Sequence, residues 1–110
     1  MMRDEFMQLH AIVDSLVADA HEDYIGLWQI VSHVSQQDKI KGDEVIRAES
    51  LRVLRLLLKR GLVVGELKAG GGFDPWPVQD VEAVVDRVEM KWKRLGHTPD
   101  IGDICWLSEE

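Results

Sequence analysis

The sequence predicts a mostly helical α+β domain with four main helices and a small antiparallel sheet of two or three strands. Four segments place apolar residues at spacings of three and four, which is the repeat of an amphipathic helix. Two apolar runs, 62–67 and 103–107, are long enough only for strands. The chain has 110 residues, 45% of them hydrophobic, so we expect residues 1–110 to form one folded domain.

The first two helices are predicted at 4–20 and 24–36. The first helix has one apolar stripe, formed by Phe6, Leu9, Val13, Leu16, Val17 and Ala20. The second is apolar around more than half of its circumference, so we expect it to be buried on several sides with Trp28 as a core anchor. The polar segment 36–42 predicts a connector.

The third helix, over 43–60, has the clearest pattern. Its predicted core face comprises Ile46, Leu51, Val53, Leu54, Leu57 and Leu58. Gly61 stands where a left-handed helix end of the Schellman type is needed, ahead of the strand 62–67. Leu56 falls among the basic residues of the opposite side. Either the first helix covers Leu56, or it is an exposed apolar spot that would mark a partner site or a two-fold dimer contact.

The second half of the chain predicts a hairpin tip, a helix and a last strand. Three glycines at 70–72 suit a flexible tip, and they lack the sequence context of a phosphate-binding loop. Trp76, held between two prolines, is predicted to pack on the core. Pro77 is predicted to open the fourth helix, 78–95, and the strand 103–107 is predicted to pair with 62–67.

Charge is spread unevenly along the chain, whose formal net charge is −7. Residues 1–23 carry −5 and the last fifteen residues carry −4, whereas 43–60 carries +2. Such a molecule should repel a phosphate backbone and attract a basic protein. The predicted contact residues for a protein partner are Asp14, Asp19, Glu22, Asp23, Leu56, Asp100 and Asp103.

Catalytic and metal-binding motifs are missing from the sequence, so we expect a protein that is not an enzyme and has no cofactor. The four histidines and the single Cys105 give no pair at the spacing of metal ligands on a helix. A dyad of His97 and Cys105 would require the tail to turn back, and a packed cysteine is the alternative. A lone cysteine, the lack of a signal peptide and the lack of a membrane-spanning run predict a cytoplasmic protein.

The run 44–67, with Gly61-Leu62-Val63 at the end of its helix, resembles the last helix and first wing strand of winged-helix domains. The resemblance covers about residues 24–73, flanked by the first helix and by the fourth helix with its strand. It implies a DNA-binding transcriptional regulator. The residues that would contact DNA are Arg47, Arg52, Arg55 and Lys59 on the helix and Lys68 on the wing.

A wider pattern resembles small uncharacterised bacterial cytosolic proteins, and it comprises Gly26-Leu27-Trp28, Gly61-Leu62-Val63, Pro75-Trp76, 92–96, Pro99 and 101–106. Compact acidic bacterial proteins of this size include immunity proteins, which neutralise toxins that are often nucleases with basic active sites. By that analogy of size and charge, the sequence predicts a protein-interaction module that binds and neutralises a basic partner. The alternative is the winged-helix regulator.

Overall fold

The architecture is four helices and one four-stranded sheet, seen in a computed structural model that describes residues 2–37 and 42–109, with the backbone alone for 2–8 and 37. Within these residues the helices are α1 (Met2–Ala20), α2 (Leu27–Gln37), α3 (Asp43–Lys59) and α4 (Val81–Leu95). The strands are β1 (Ile25–Gly26), β2 (Val63–Leu67), β3 (Phe73–Pro75) and β4 (Trp106–Ser108). They form an antiparallel sheet in the order β1-β4-β2-β3. The predicted α+β class is confirmed, with a larger sheet than the two or three strands expected.

The helix α1 agrees with the predicted 4–20, whereas the predicted start of the second helix is wrong. Ile25 and Gly26 form a strand that pairs with Leu107 and Trp106 of β4. The Leu27 N–H, at the start of α2, donates to the Cys105 carbonyl (3.2 Å). Pairing with a strand from the far end of the chain therefore overrides the local helical pattern. Most of the predicted connector 36–42 lies outside the described residues, as does the Phe6 side chain.

The predicted end of α3 is confirmed in detail. Gly61 has φ 100°, its N–H donates to the Leu58 carbonyl (3.0 Å), and the Leu62 N–H donates to the Leu57 carbonyl (3.2 Å). These two bonds define a Schellman motif. The buried face of α3 joins the core through Leu51, Val53, Leu54, Leu57 and Leu58. Leu56 is partly buried against that core, so it is not an isolated exposed spot.

A hairpin joins β2 to β3 through the glycine-rich tip. The Lys68 N–H donates to the Gly72 carbonyl (2.9 Å), and Gly71 and Gly72 both have positive φ. The strand β3 was not predicted, because Phe73-Asp74-Pro75 is short and contains proline. Trp76 is the core anchor that was expected, with 5% of its surface exposed.

The helix α4 begins later than predicted. Asp80 rather than Pro77 marks its start, because the Asp80 carboxylate accepts from the Ala83 N–H (3.1 Å) and so caps the first turn. The predicted end is confirmed, since Gly96 adopts the left-handed conformation with φ 80°.

The side chain of Gln79, in the segment before α4, extends the sheet. Its Oε1 accepts from the Val64 N–H (3.1 Å), and its Nε2 donates to the carbonyls of Val64 (2.8 Å) and Trp76 (2.9 Å). A side-chain amide has the same donor and acceptor groups as a peptide unit. Gln79 therefore provides the partner of the Val64 N–H, and it adds a second hydrogen bond to the Val64 carbonyl, which also accepts from the Trp76 N–H (2.9 Å).

The strand β4 occupies an inner position of the sheet although it comes last in the chain. It pairs with β1 on one side and β2 on the other, as the predicted pairing of 103–107 with 62–67 requires. It begins only at Trp106, because residues 101–104 form a turn in which Ile104 has φ 69°. Ile25, Leu107 and Val64 share one row and are at most 1% exposed, so this side of the sheet faces the core. In the described part of the chain, no helix has the length and apolar character to cross a bilayer.

Candidate functional site

The other side of the sheet carries aromatic side chains. Successive residues of a strand point to opposite faces, so the row Gly26, Trp106, Gly65 and Pro75 points away from the core. Four half-buried aromatic side chains lie on this side, and we call them the aromatic face: Tyr24, Trp28, Phe73 and Trp106.

Two glycines allow the aromatic rings to lie directly on the backbone. A Cβ at Gly26 would lie 2.5 Å from the indole of Trp28. A Cβ at Gly65 would lie 2.8 Å from the ring of Phe73, whose centroid is 5.4 Å from that of Tyr24 in a stacked pair. The glycines therefore serve close approach of side chains to the sheet. Trp28 was predicted as a core anchor, but it lies half-buried on this face.

Two adjoining cavities open on the aromatic face, each of about 400 Å³. Tyr24 is common to both. One is lined by Tyr24, Val63, Phe73, Pro75 and Ser108. The other is lined by Asp19, Glu22, Asp23, Tyr24, Ile25, Trp28, Gln29 and Trp106. We call its three carboxylates, Asp19, Glu22 and Asp23, the acidic rim.

The acidic rim brings negative charge to the edge of the aromatic face. Asp19 and Glu22 are exposed, and Asp23 accepts from the Tyr24 N–H (2.7 Å). The residues that line the two cavities include no lysine or arginine. A cation is attracted by the face of a tryptophan and by a carboxylate, so this arrangement suits a lysine or arginine side chain from another protein.

The remaining predicted acidic residues lie elsewhere. Asp14 is about 140° around α1 from Asp19 at 100° per residue, and it pairs with Arg60 (3.1 Å). Asp100 and Asp103 belong to the turn after α4, where the Asp103 carboxylate accepts from the Asp100 N–H (2.8 Å). Three of the six predicted acidic contacts therefore lie together at the cavity.

The basic residues of α3 are divided among different surroundings. Arg55 makes two hydrogen bonds to Glu82 of α4, at 2.7 and 3.0 Å. Their hydrogen bond raises the pKa of Arg55 and lowers the pKa of Glu82. Arg52 and Lys59 are exposed, Lys68 is exposed at the hairpin tip, and Arg47 lines a separate cavity.

The Cys105 thiol is enclosed in the core. Burial raises its pKa to about 12, so the thiol stays protonated at neutral pH, whereas a nucleophilic cysteine reacts as the thiolate. The Nδ1–H of His97 donates to the Thr98 carbonyl (2.9 Å). Among the described residues, no group of three or more histidine, cysteine, aspartate or glutamate side chains could hold a metal ion.

Sequence reasoning found the acidic rim but missed the aromatic face. The available signal was the run 104–107, which is apolar on both sides of a strand, together with glycines inside the runs that contain β1 and β2. These residues form one face only because β4 lies between β1 and β2, and local sequence patterns do not predict that strand order. Comparisons with protein-family models, with curated proteins and with solved structures found no match.

Proposed function

We propose that this protein is a non-enzymatic interaction module that binds a basic protein partner through the aromatic face and the acidic rim. The observation that carries the proposal is the cavity where Trp28 and Trp106 lie beside Asp19, Glu22 and Asp23. Tryptophan, tyrosine and arginine dominate the binding energy of protein interfaces, and here two of these types are half-exposed on one side of a sheet.

Charge supports a basic partner. The net charge of −7 would steer a cationic protein toward this molecule, and the rim would fix its orientation. A partner that acts on nucleic acid through a basic site would be neutralised when that site is covered. This is the relation that immunity proteins have with their toxins.

The proposal can be tested by capturing partners from a lysate with two matched variants. The double reversal Asp19→Lys with Glu22→Lys changes the rim, and Glu44→Lys with Asp86→Lys makes the same charge change elsewhere. We expect wild type and control to retain a basic protein that the rim variant loses. The complex should re-form from the two purified proteins and weaken as salt is raised from about 50 to 200 mM, because rim contacts are screened.

A second pair of variants tests the aromatic face. Trp106→Ala should weaken the purified complex by at least about tenfold, the effect expected of a hot-spot tryptophan. Met90→Ala removes an exposed apolar side chain from α4 and should leave affinity unchanged. Equal binding by wild type, the rim variant and Trp106→Ala would contradict the proposal.

The DNA-binding alternative would use Arg47, Arg52, Arg55, Lys59 and Lys68. It draws less support, because Arg55 is engaged by Glu82. A titration of random-sequence duplex DNA at about 50 mM salt distinguishes the two functions. Salt-sensitive binding that is lost in Arg52→Ala with Lys59→Ala would favour the regulator.

A further inference from the structure

A smaller cavity, separate from the two on the aromatic face, lies at one end of the seam between α3 and α4. Its volume is about 200 Å³, and we call it the seam cavity. Gly96 reverses the chain there at the end of α4. The lining residues are Asp43, Ile46, Arg47, Trp92, Lys93, Gly96, His97 and Thr98. None of them belongs to the aromatic face or the acidic rim.

Arg47 differs from the other arginines of this region. Arg55 and Arg60 each pair with a carboxylate, and Arg52 is exposed to solvent. Arg47 is half-buried, and no carboxylate of the described residues pairs with it. A partly buried charge without a partner loses hydration with no compensating contact. An anion in the seam cavity would supply that contact.

Two other lining residues, Lys93 and His97, bring further hydrogen-bond donors or acceptors to the seam cavity. Lys93 lies 3.8 Å from Glu89 in an exposed pair, which leaves its ammonium group largely available. His97 uses Nδ1 for the Thr98 carbonyl, so Nε2 is not engaged by that bond. Among the described lining residues the carboxylate is that of Asp43, one helical turn before Arg47, and the positive end of the α3 dipole offsets part of its charge.

Part of the seam-cavity lining is apolar, which favours a ligand that has an apolar part. Trp92 is buried and Ile46 is half-buried, so a bound molecule would place its body against their side chains. The volume is below the range of about 300–1,000 Å³ that is typical of sites for drug-sized ligands. An arginine guanidinium matches the two oxygens of a carboxylate in a bidentate contact.

We propose that the seam cavity binds a small organic carboxylate, with its anionic group held by Arg47 and Lys93 and its apolar body against Trp92. This inference is independent of the proposed partner surface, because the two sites share no residue. Loss of one activity would leave the other intact.

The test uses benzoate as the probe, with benzyl alcohol as its uncharged counterpart and inorganic phosphate as an anion without an apolar body. The readout is the indole N–H resonance of Trp92, assigned from a Trp92→Phe variant. We expect benzoate to shift this resonance saturably with a Kd of about 1 mM. Benzyl alcohol and phosphate should give no saturable shift over the same concentrations.

Matched variants test whether Arg47 holds the carboxylate of benzoate. Arg47→Met should weaken benzoate binding about tenfold or more, as expected for loss of a charge-assisted contact. Arg52→Met, an exposed arginine of the same helix, should bind like wild type. Thermal unfolding of each variant shows whether the fold is kept, and Lys93→Met supplies a second cation removal if Arg47→Met does not fold.

Three results with benzoate or benzyl alcohol would overturn the inference. They are no shift of the Trp92 resonance with benzoate, equal affinity in wild type and both cation variants, or benzyl alcohol binding as tightly as benzoate. Tighter binding of inorganic phosphate than of benzoate would assign the cavity to phosphate compounds and reject the carboxylate.

Discussion

At the scale of single residues, one side chain adds hydrogen bonds to the short strands of the sheet, and two glycines leave space for aromatic rings on it. Gln79 makes three hydrogen bonds with backbone groups beside β2, and Gly26 and Gly65 make room for rings on the sheet. The role of Gln79 depends on its side-chain amide, and the role of each glycine depends on its lack of a Cβ. Conservative substitutions at these positions should therefore have measurable effects on stability.

The substitution Gln79→Ala should destabilise the protein by about 1–3 kcal/mol, because the Val64 N–H and the Trp76 carbonyl lose their hydrogen bonds to Gln79 in a partly buried position. Urea unfolding followed by circular dichroism measures the change. Gln36→Ala is the control, since Gln36 is exposed and makes only a 3.4 Å contact with Ser32. Equal effects of the two substitutions would contradict the role assigned to Gln79.

The substitution Gly65→Ala should destabilise by about 1–3 kcal/mol, the usual cost of overpacking. The added Cβ would lie 2.7 Å from the Cα of Pro75, so β3 would have to move. Gly70→Ala adds the same methyl group where no atom lies within 4 Å. Thermal unfolding should show a lower Tm for the first variant alone, and an unchanged Tm for Gly65→Ala would refute the packing argument.

At the scale of elements, α3 and α4 pack along an antiparallel seam with Arg55 and Glu82 near one end. The helix α3 is held at this end by an ion pair and along its length by its leucine-rich face. The other end of the seam contains the cavity with Arg47. The two helices therefore place at their seam both Arg55, which pairs with Glu82, and Arg47, which pairs with no carboxylate in the part of the chain that the structure describes.

The pair of Arg55 and Glu82 should make stability depend on pH. The hydrogen bond from Arg55 lowers the pKa of Glu82 in the folded protein. The pair therefore stabilises the fold above the pKa that Glu82 has in the unfolded chain, and this stabilisation is lost as pH falls through the pKa in the folded protein. Glu82→Gln should lower Tm slightly at pH 7. It should have no effect near pH 2, which is well below the usual glutamate pKa of about 4.2. Glu66→Gln, at an exposed position of β2, makes the same substitution where no ion pair is seen among the described residues, and it should leave Tm unchanged at pH 7. The same Tm loss for Glu82→Gln at both pH values would reject the ion pair as its cause.

The elements differ in how well the sequence predicts them. The leucine-rich stripe and Gly61 define α3 and its end, because both signals are local. The segment 24–36 predicts one helix, yet Ile25–Gly26 is a strand, because its pairing with β4 depends on residues far along the chain. The acidic rim follows from composition, whereas the aromatic face requires the strand order. Local patterns thus predict the helices and the acidic segments, whereas the aromatic face is formed by pairing between distant strands.

At the scale of the whole molecule, the strand β4 joins parts of the chain that lie far apart in sequence. The strand β4 lies between β1, which precedes α2, and β2, which follows α3. Leu107 is fully buried in this sheet, and Trp106 belongs to the aromatic face. The core and the proposed partner surface therefore both depend on the same strand.

This topology predicts the effect of shortening the chain. A variant that ends after Ile104 lacks β4, so β1 loses the strand with which it pairs and the core loses Leu107 and Cys105. Removal of one large buried side chain alone costs about 2–5 kcal/mol, a large part of a typical net stability of about 5–15 kcal/mol. We expect this variant to lose its cooperative thermal transition and its near-ultraviolet circular dichroism. A variant that ends after Ser108 keeps β4 and, of the described contacts, loses the exposed pair of His21 and Glu109, so it should unfold cooperatively near the wild-type Tm. A cooperative transition in the shorter variant would show that β4 is not required to hold the sheet and core together.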